Sequence, residues 1–149
     1  MPNAIEVTGV EQLLKVLQQF PPKLQKQALR PAMRDGSKIV AAKVREFVPV
    51  DADGHQHPGG KHLRDTIKVR ANPGRKRGVI EFRVMTGNRE ELGIPANDPT
   101  YYPNALEFGD LDHQPIKFME PAYHHTKEAV IETVRARVLR SLAGMASSG

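Results

Sequence analysis

The residues best suited to chemistry lie in one polar, glycine-rich stretch. It contains the imidazoles of His55, His57 and His62 near the carboxylates of Asp51 and Asp53. Such groups are ligands for zinc or manganese. No His-Glu-x-x-His or other standard ligand spacing occurs, and the neighbouring glycines disfavour a rigid cage. A solvated loop is therefore the favoured interpretation, and a metal-dependent nuclease site is the alternative.

Other catalytic patterns are missing from the sequence. His124 and His125 are adjacent on a predicted helix, where neighbours diverge by ~100° and cannot readily share a ligand. Gly59-Gly60-Lys61 lacks the first glycine and the Ser or Thr of a phosphate-binding loop. Neither Ser37 nor Ser141 lies in a Gly-x-Ser-x-Gly setting. Without cysteine there are no disulfides or thiolate metal sites. We predict a protein that is not an enzyme and has no cofactor or bound metal.

A basic run is the strongest candidate for a functional surface. It extends without an acidic residue through a predicted hairpin, and its cations are Lys68, Arg70, Arg75, Lys76 and Arg77. Point charges of this kind can contact DNA phosphates or an acidic neighbouring subunit. A solvated turn explains the run equally well. Interleaved aromatic residues are missing, so base stacking is not expected.

Length and composition predict one domain, residues 1–149. A chain of 149 residues can form a real core, and with 5% aromatic residues and no tryptophan that core must be aliphatic. The net charge of +5 makes contact with a polyanion plausible. Met1–Val10 has no secretory pattern, and no apolar stretch approaches the roughly 20 residues that span a bilayer. We expect a soluble protein of a reducing compartment, without membrane contact.

Three helices are predicted from apolar residues at helical spacing. Val7–Phe20 begins with a possible capping box of Thr8 and Glu11. Pro22–Phe47 is long, and Pro31 should kink or split it because proline removes a backbone hydrogen bond. Pro121–Leu142 is the last helix, followed by a flexible tail at 144–149.

Alternation of apolar and polar residues predicts strands at Thr66–Ala71 and Val79–Met85. Tyr102–Phe108 is a candidate third strand. Val50–His62 and Thr86–Thr100 are predicted loops, mobile in the free chain and ordered on assembly. The predicted fold class is α+β. A small antiparallel sheet packs against a long, kinked helix of the amino-terminal half and against a carboxy-terminal helix.

The stretch from Tyr101 to Ala122 joins this sheet to the last helix and carries a recognisable pattern, Tyr-Pro…Leu-Glu-Phe-Gly…Phe-Met-Glu-Pro-Ala. Its signature residues are Tyr102, Pro103, Glu107, Phe108, Gly109, Phe118, Pro121 and Ala122. The pattern resembles the tail-completion or head–tail joining neck proteins of long-tailed bacteriophages, a family to which lambda minor tail protein Z is related. Leu29–Pro49 is similar to the family's long helix, and Gly59–Val69 to the start of its first strand. The resemblance extends from about Leu13 to Leu142.

This resemblance implies a structural role in the virion neck, with assembly in the host cytoplasm. It implies a homo-oligomeric ring, often six-fold, around the DNA channel. The implied partners are the head–tail connector and the tail terminator or tail tube proteins, with non-specific contact to packaged DNA through the basic hairpin. The alternative is a small basic nucleic-acid-binding protein, extending to a metal-dependent nuclease that uses the His55–His62 loop. A generic oligomerising domain is a third interpretation.

Overall fold

The computed structural model describes residues 10–49, 60–72, 80–98, 102–109 and 114–148. Six helices and two strands lie in these ranges, and their order confirms the predicted α+β class. They are α1 (Val10–Leu17), α2 (Pro22–Phe47), α3 (Leu63–Thr66), β1 (Lys68–Asn72), β2 (Glu81–Met85), α4 (Arg89–Leu92), α5 (Tyr102–Phe108) and α6 (Met119–Ser148).

Helices α2 and α6 form the framework of the fold, and small residues on α2 allow them to approach closely. A Cβ atom added to Gly36 would lie 3.0 Å from Cγ2 of Val134 on α6. Ala28 and Ala32 are fully buried on the same side of α2 and pack with Val138. Because later residues of α2 meet earlier residues of α6, the two helices run antiparallel.

Two apolar clusters line this helix pair. The smaller one lies where α1 meets the second half of α6 and contains Leu17, Ala28, Ala32, Val138 and Leu142. The larger one lies towards the start of α6 and beneath the strands, and contains Ala41, Val44, Val48, Leu63, Ile67, Leu92, Ile94, Phe118 and Ala122. One helix, α6, therefore contributes to both clusters.

The two strands pair antiparallel, as predicted. Val69 lies opposite Val84, and both pack against the larger cluster. The opposite face of the sheet carries Arg70 directly across from Arg83. The first strand is shorter than predicted because Thr66 ends helix α3, where its hydroxyl donates a hydrogen bond of 2.7 Å to the carbonyl of Leu63.

The predicted third strand is wrong, because Tyr102–Phe108 forms helix α5. Helical spacing places Tyr102 and Leu106 on one side, where both pack against the larger cluster. Pro103 is also buried, close to the amino-terminal end of the helix, where proline is tolerated. A short apolar run fits a strand or a helix equally well, and only its tertiary contacts decide between them.

The predicted loop Thr86–Thr100 contains helix α4, closed by a reciprocal capping box between Asn88 and Glu91. Leu92 is fully buried and Ile94 nearly so, which ties this segment to the larger cluster. Its mobility in the free chain stays a prediction, although this burial opposes it. Residues 50–59 of the other predicted loop lie outside the described residues.

The long second helix has the predicted bounds and is not split at Pro31; a bend there stays a prediction. Thr8, the proposed cap of the first helix, lies outside the described residues. Helix α6 begins two residues before Pro121 and continues through Ser148. None of the described helices combines the length and the apolar character needed to cross a bilayer.

Two glycine substitutions test the packing. A Cβ at Gly60 would lie 2.1 Å from the carbonyl oxygen of Leu92, whereas one at Gly144 would meet nothing within 4 Å. Gly60→Ala should lower the free energy of unfolding by roughly 1–3 kcal/mol through overpacking. Gly144→Ala should raise it by about 0.5–1 kcal/mol, because glycine is a poor residue inside a helix. Urea unfolding of both variants checks this; a neutral Gly60→Ala would contradict the contact.

Candidate functional site

The buried carboxylate of Glu107 holds the start of helix α6. Glu107 is 7% exposed. One of its oxygens, Oε2, accepts the backbone N–H groups of Phe118 and Met119 at 2.8 and 3.0 Å, and Oε1 accepts that of Glu120 at 3.0 Å. A helix begins with four N–H groups that have no partner inside the helix. Here three of them bind Glu107, and the fourth position is Pro121, which has no N–H.

The local sequence explains how this carboxylate reaches the helix. Gly109 ends α5 with a φ of 77°, a left-handed conformation that glycine adopts at little cost. The chain then returns, and the N–H of Ile116 donates to the carbonyl of Leu106 at 2.7 Å. The negative charge also suits the positive end of the helix dipole. We refer to α5, the start of α6 and this Glu107 contact as the joint.

The exposed rim of the joint carries an ion pair. Lys117 and Glu120 lie 2.8 Å apart and both are largely exposed. The hydrogen bond from Lys117 lowers the pKa of the Glu120 carboxyl, and the same contact raises the pKa of Lys117. Both groups therefore stay charged around neutral pH.

Large apolar side chains lie exposed around the joint. Phe108 is 75% exposed, Ile116 54% and Tyr123 43%. Phe108 and Tyr123 line one side of an open cleft of about 480 Å³, together with Pro103 and Met119. Two exposed aromatic side chains that line the same cleft are uncommon on a surface that meets water alone. This surface is therefore a candidate for protein contact.

The joint brings the signature residues together around Glu107. Tyr102 and Pro103 bury the inner side of α5, while Phe118 and Ala122 fill the core below the start of α6, 1% and 0% exposed. Phe108 differs from the others because it points outward. Most of the signature residues therefore form the joint, whereas Phe108 is exposed on its surface.

The basic run does not form one site in the described structure. Lys68 forms an ion pair with Glu91, so its charge is used within the chain. Arg70 is exposed, and Arg83 opposite it binds Glu81 at 2.8 Å. Arg75, Lys76 and Arg77 lie outside the described residues.

The histidines give no metal centre in the described ranges, where no group of three or more potential ligands converges. His62 is exposed, and the other predicted ligands, Asp51, Asp53, His55 and His57, lie outside those ranges. His125 packs edge-on against Phe47 with ring centroids 5.1 Å apart. His124 lies 3.8 Å from Glu120. These two side chains diverge, as their adjacent positions require.

Comparison with known proteins identifies the family. The family model described as "Bacteriophage HK97-gp10, putative tail-component" matches residues 11–109, about two thirds of the chain. The chain belongs to the HK97-gp10-like family. Comparisons with curated proteins and with solved structures give no match. The family match confirms the predicted phage tail or neck class and makes this protein a structural tail component of a virion; it does not single out the lambda Z-like branch.

The matched segment of this HK97-gp10-like protein ends at Gly109. It therefore includes Glu107 and Phe108 but stops before the helix that Glu107 caps. The role of Glu107 is missed by sequence reasoning because its partners lie 11 to 13 residues away across a turn. The signals for it were the glycine after Phe108 and a helix start without Ser, Thr, Asp or Asn as its own cap.

Removing the charge of Glu107 should weaken the joint. Glu107→Gln keeps the shape but directs an amide N–H₂ at backbone donors, so we expect a loss of about 2 kcal/mol in the free energy of unfolding. Glu120→Gln is the matched control and should cost much less stability, because that carboxylate is exposed and its ion pair is screened by water. Hydrogen exchange should show selective loss of protection at the amides of Phe118, Met119 and Glu120. Equal stability and exchange in the two variants would contradict the cap.

The Lys68–Glu91 pair predicts a pH effect. The hydrogen bond from Lys68 is the largest cause that lowers the pKa of Glu91 below 4.5, and the N–H of Asn88 adds to it. A carboxyl group whose pKa is lower in the folded state than in the unfolded state stabilises the fold at pH values above its unfolded pKa. This stabilisation is lost as the pH falls through the folded-state pKa. Lys68→Gln should therefore flatten the decline in stability below about pH 4.5. Parallel pH profiles of wild type and Lys68→Gln, from urea unfolding, would show that the pair contributes nothing.

Proposed function

We propose that this tail component completes the virion neck, as a subunit of a closed ring through which DNA passes between head and tail. The observation that carries the proposal is the family match, because it places the chain among phage tail components. The full signature, continued beyond the matched residues into the start of α6, supports the finer assignment to tail completion or head–tail joining.

The ring contact is proposed to involve the exposed apolar side chains of the joint. Aromatic side chains are enriched at the centre of protein interfaces, where they dominate the binding energy. Phe108 fits this role because α5 is fixed by Glu107 and so presents the ring on a rigid support. A ring closes through heterologous contacts, in which this surface meets a different surface on the next copy. We propose a second copy as the occupant and six subunits as the ring size.

The other proposed partners are the head–tail connector on one side and the tail terminator or tail tube proteins on the other. We propose that the work of the protein is binding rather than catalysis. The basic hairpin residues Arg75, Lys76 and Arg77 are proposed to meet DNA or an acidic partner. Serine at all three should lower the yield of joined particles without lowering stability.

Exposed aromatic groups of the joint are the test of ring assembly. The double variant Phe108→Ser, Tyr123→Ser should convert the assembled protein to monomer, because these two aromatic side chains are buried only in the proposed assembly. The fold should remain, since both side chains are exposed in the single chain. Leu139→Ser is the control, an exposed apolar group 39% accessible near the other end of α6. The mass of each variant is measured by analytical ultracentrifugation. An unchanged oligomer in the double variant would show that the joint is not part of the contact between subunits.

A further inference from the structure

A row of cations that form no ion pair with any described residue lies along the exposed face of α2. Lys26, Arg30, Arg34 and Lys38 repeat at every fourth position, and Lys23 lies beside them. All five residues are exposed. Residues four apart lie on the same face of a helix. At 1.5 Å per residue, the row from Lys26 to Lys38 is about 18 Å long.

The row lies on the side of α2 opposite to the one that packs against α6. Ala28, Ala32 and Gly36, which pack towards α6, are each displaced by two positions from members of the row. Two helical positions correspond to a rotation of roughly 200°, so the two sets point in nearly opposite directions. Arg34 makes one contact, lying 5.5 Å from the centroid of the Phe82 ring at the edge of the sheet. The row is thus a solvent-facing stripe, anchored at one point to the hairpin.

The arrangement costs helix stability. Like charges four residues apart on a helix repel each other. The first turn of α2 contains no acidic residue, so Lys23 and Lys26 lie unopposed near the positive end of the helix dipole. Within the described residues no carboxylate forms an ion pair with any of the five cations.

Helix α6 shows the contrasting arrangement in the same protein. Its cations are interleaved with acids, and Arg135 binds Glu132 at 3.1 Å while Arg137 lies 3.9 Å from Asp35 of α2. The one acidic residue in the first two thirds of α2, Asp35, thus turns towards α6 and leaves the row uncompensated. A face that only needed to be solvated would not require this segregation of charge.

We propose that the row Lys26–Arg30–Arg34–Lys38, with Lys23, is a contact surface for the phosphate backbone of double-stranded DNA. Phosphate contacts need only point charges. Each DNA strand carries one phosphate per 3.4 Å of the helix axis, so an 18 Å row parallel to that axis spans about five phosphates of one strand. The row contains no exposed aromatic or aliphatic anchor of the kind that dominates protein interfaces. This inference deepens the proposed function, on which it rests for the identity of the DNA, by assigning the side of the subunit that faces the channel.

The salt dependence of DNA binding tests the row. The triple variant Lys26→Gln, Arg30→Gln and Lys38→Gln removes three cations but keeps Arg34 and its contact with Phe82. Glutamine has nearly the same helix propensity as lysine and arginine. The control is Lys15→Gln, Arg135→Gln and Arg140→Gln, which removes the same charge from α1 and α6. Urea unfolding first establishes that both variants fold.

Binding of the full chain to a short random-sequence duplex is then measured by fluorescence anisotropy between about 50 and 200 mM salt. The slope of log K against log salt concentration should become shallower by about 2.7 in the row variant, since each lost phosphate contact removes about 0.9. The control should keep the wild-type slope. Equal slopes in all three proteins, or an equal reduction in both variants, would overturn the proposal.

The same proteins separate this inference from the ring proposal. Ultracentrifugation measures assembly in the absence of DNA. If no ring forms, the salt dependence of DNA binding can still be measured; if that salt dependence is unchanged in the row variant, the ring proposal is not affected. If the row variant binds DNA like the wild type but no longer co-purifies with another virion protein, the surface serves an acidic protein partner and the DNA proposal is wrong.

Discussion

One buried carboxylate and three backbone N–H groups hold the start of helix α6 against α5. Helix α6 begins without a capping side chain of its own and has a proline at its third position, so its first N–H groups depend on Glu107 of α5. Because α6 contributes to both apolar clusters, the placement of its first turn affects the whole core. A buried carboxylate without these donors would be strongly unfavourable, so α5 and α6 must form together.

This constraint also separates the two surfaces for which we propose functions. The Glu107 contact fixes α5 so that Phe108 points outward at the start of α6. Because α2 and α6 are antiparallel, the basic row on the first two thirds of α2 lies level with the far half of α6 rather than with the joint. The apolar surface and the basic row therefore occupy different regions. A ring subunit needs this separation, since contacts to its neighbours and contacts to the channel cannot use the same side.

The sequence predicts the parts of this fold that local physics determines. Prolines bracket α2 and its apolar spacing is helical, so its bounds are predicted correctly, and alternation predicts both strands. The predicted strand at Tyr102–Phe108 is wrong because a segment of seven residues is too short to show a decisive period of apolar residues. The helix within Thr86–Thr100 has a local signal in the sequence, because Asn88 and Glu91 have the spacing of a capping box. The partners of Glu107 and the lack of ion pairs along the basic row within the described residues depend on tertiary structure. The spacing of residues in the sequence does not predict them.

We propose that the protein is a ring subunit at the junction of head and tail. Electron cryo-microscopy of intact virions would locate the chain, because α2 and α6 are long enough to be recognised in density. We expect a closed ring of this chain at the neck, with Phe108 at the boundary between adjacent copies and the α2 row towards the DNA. Density for the chain elsewhere in the tail, or neighbouring copies that do not meet near Phe108, would contradict it.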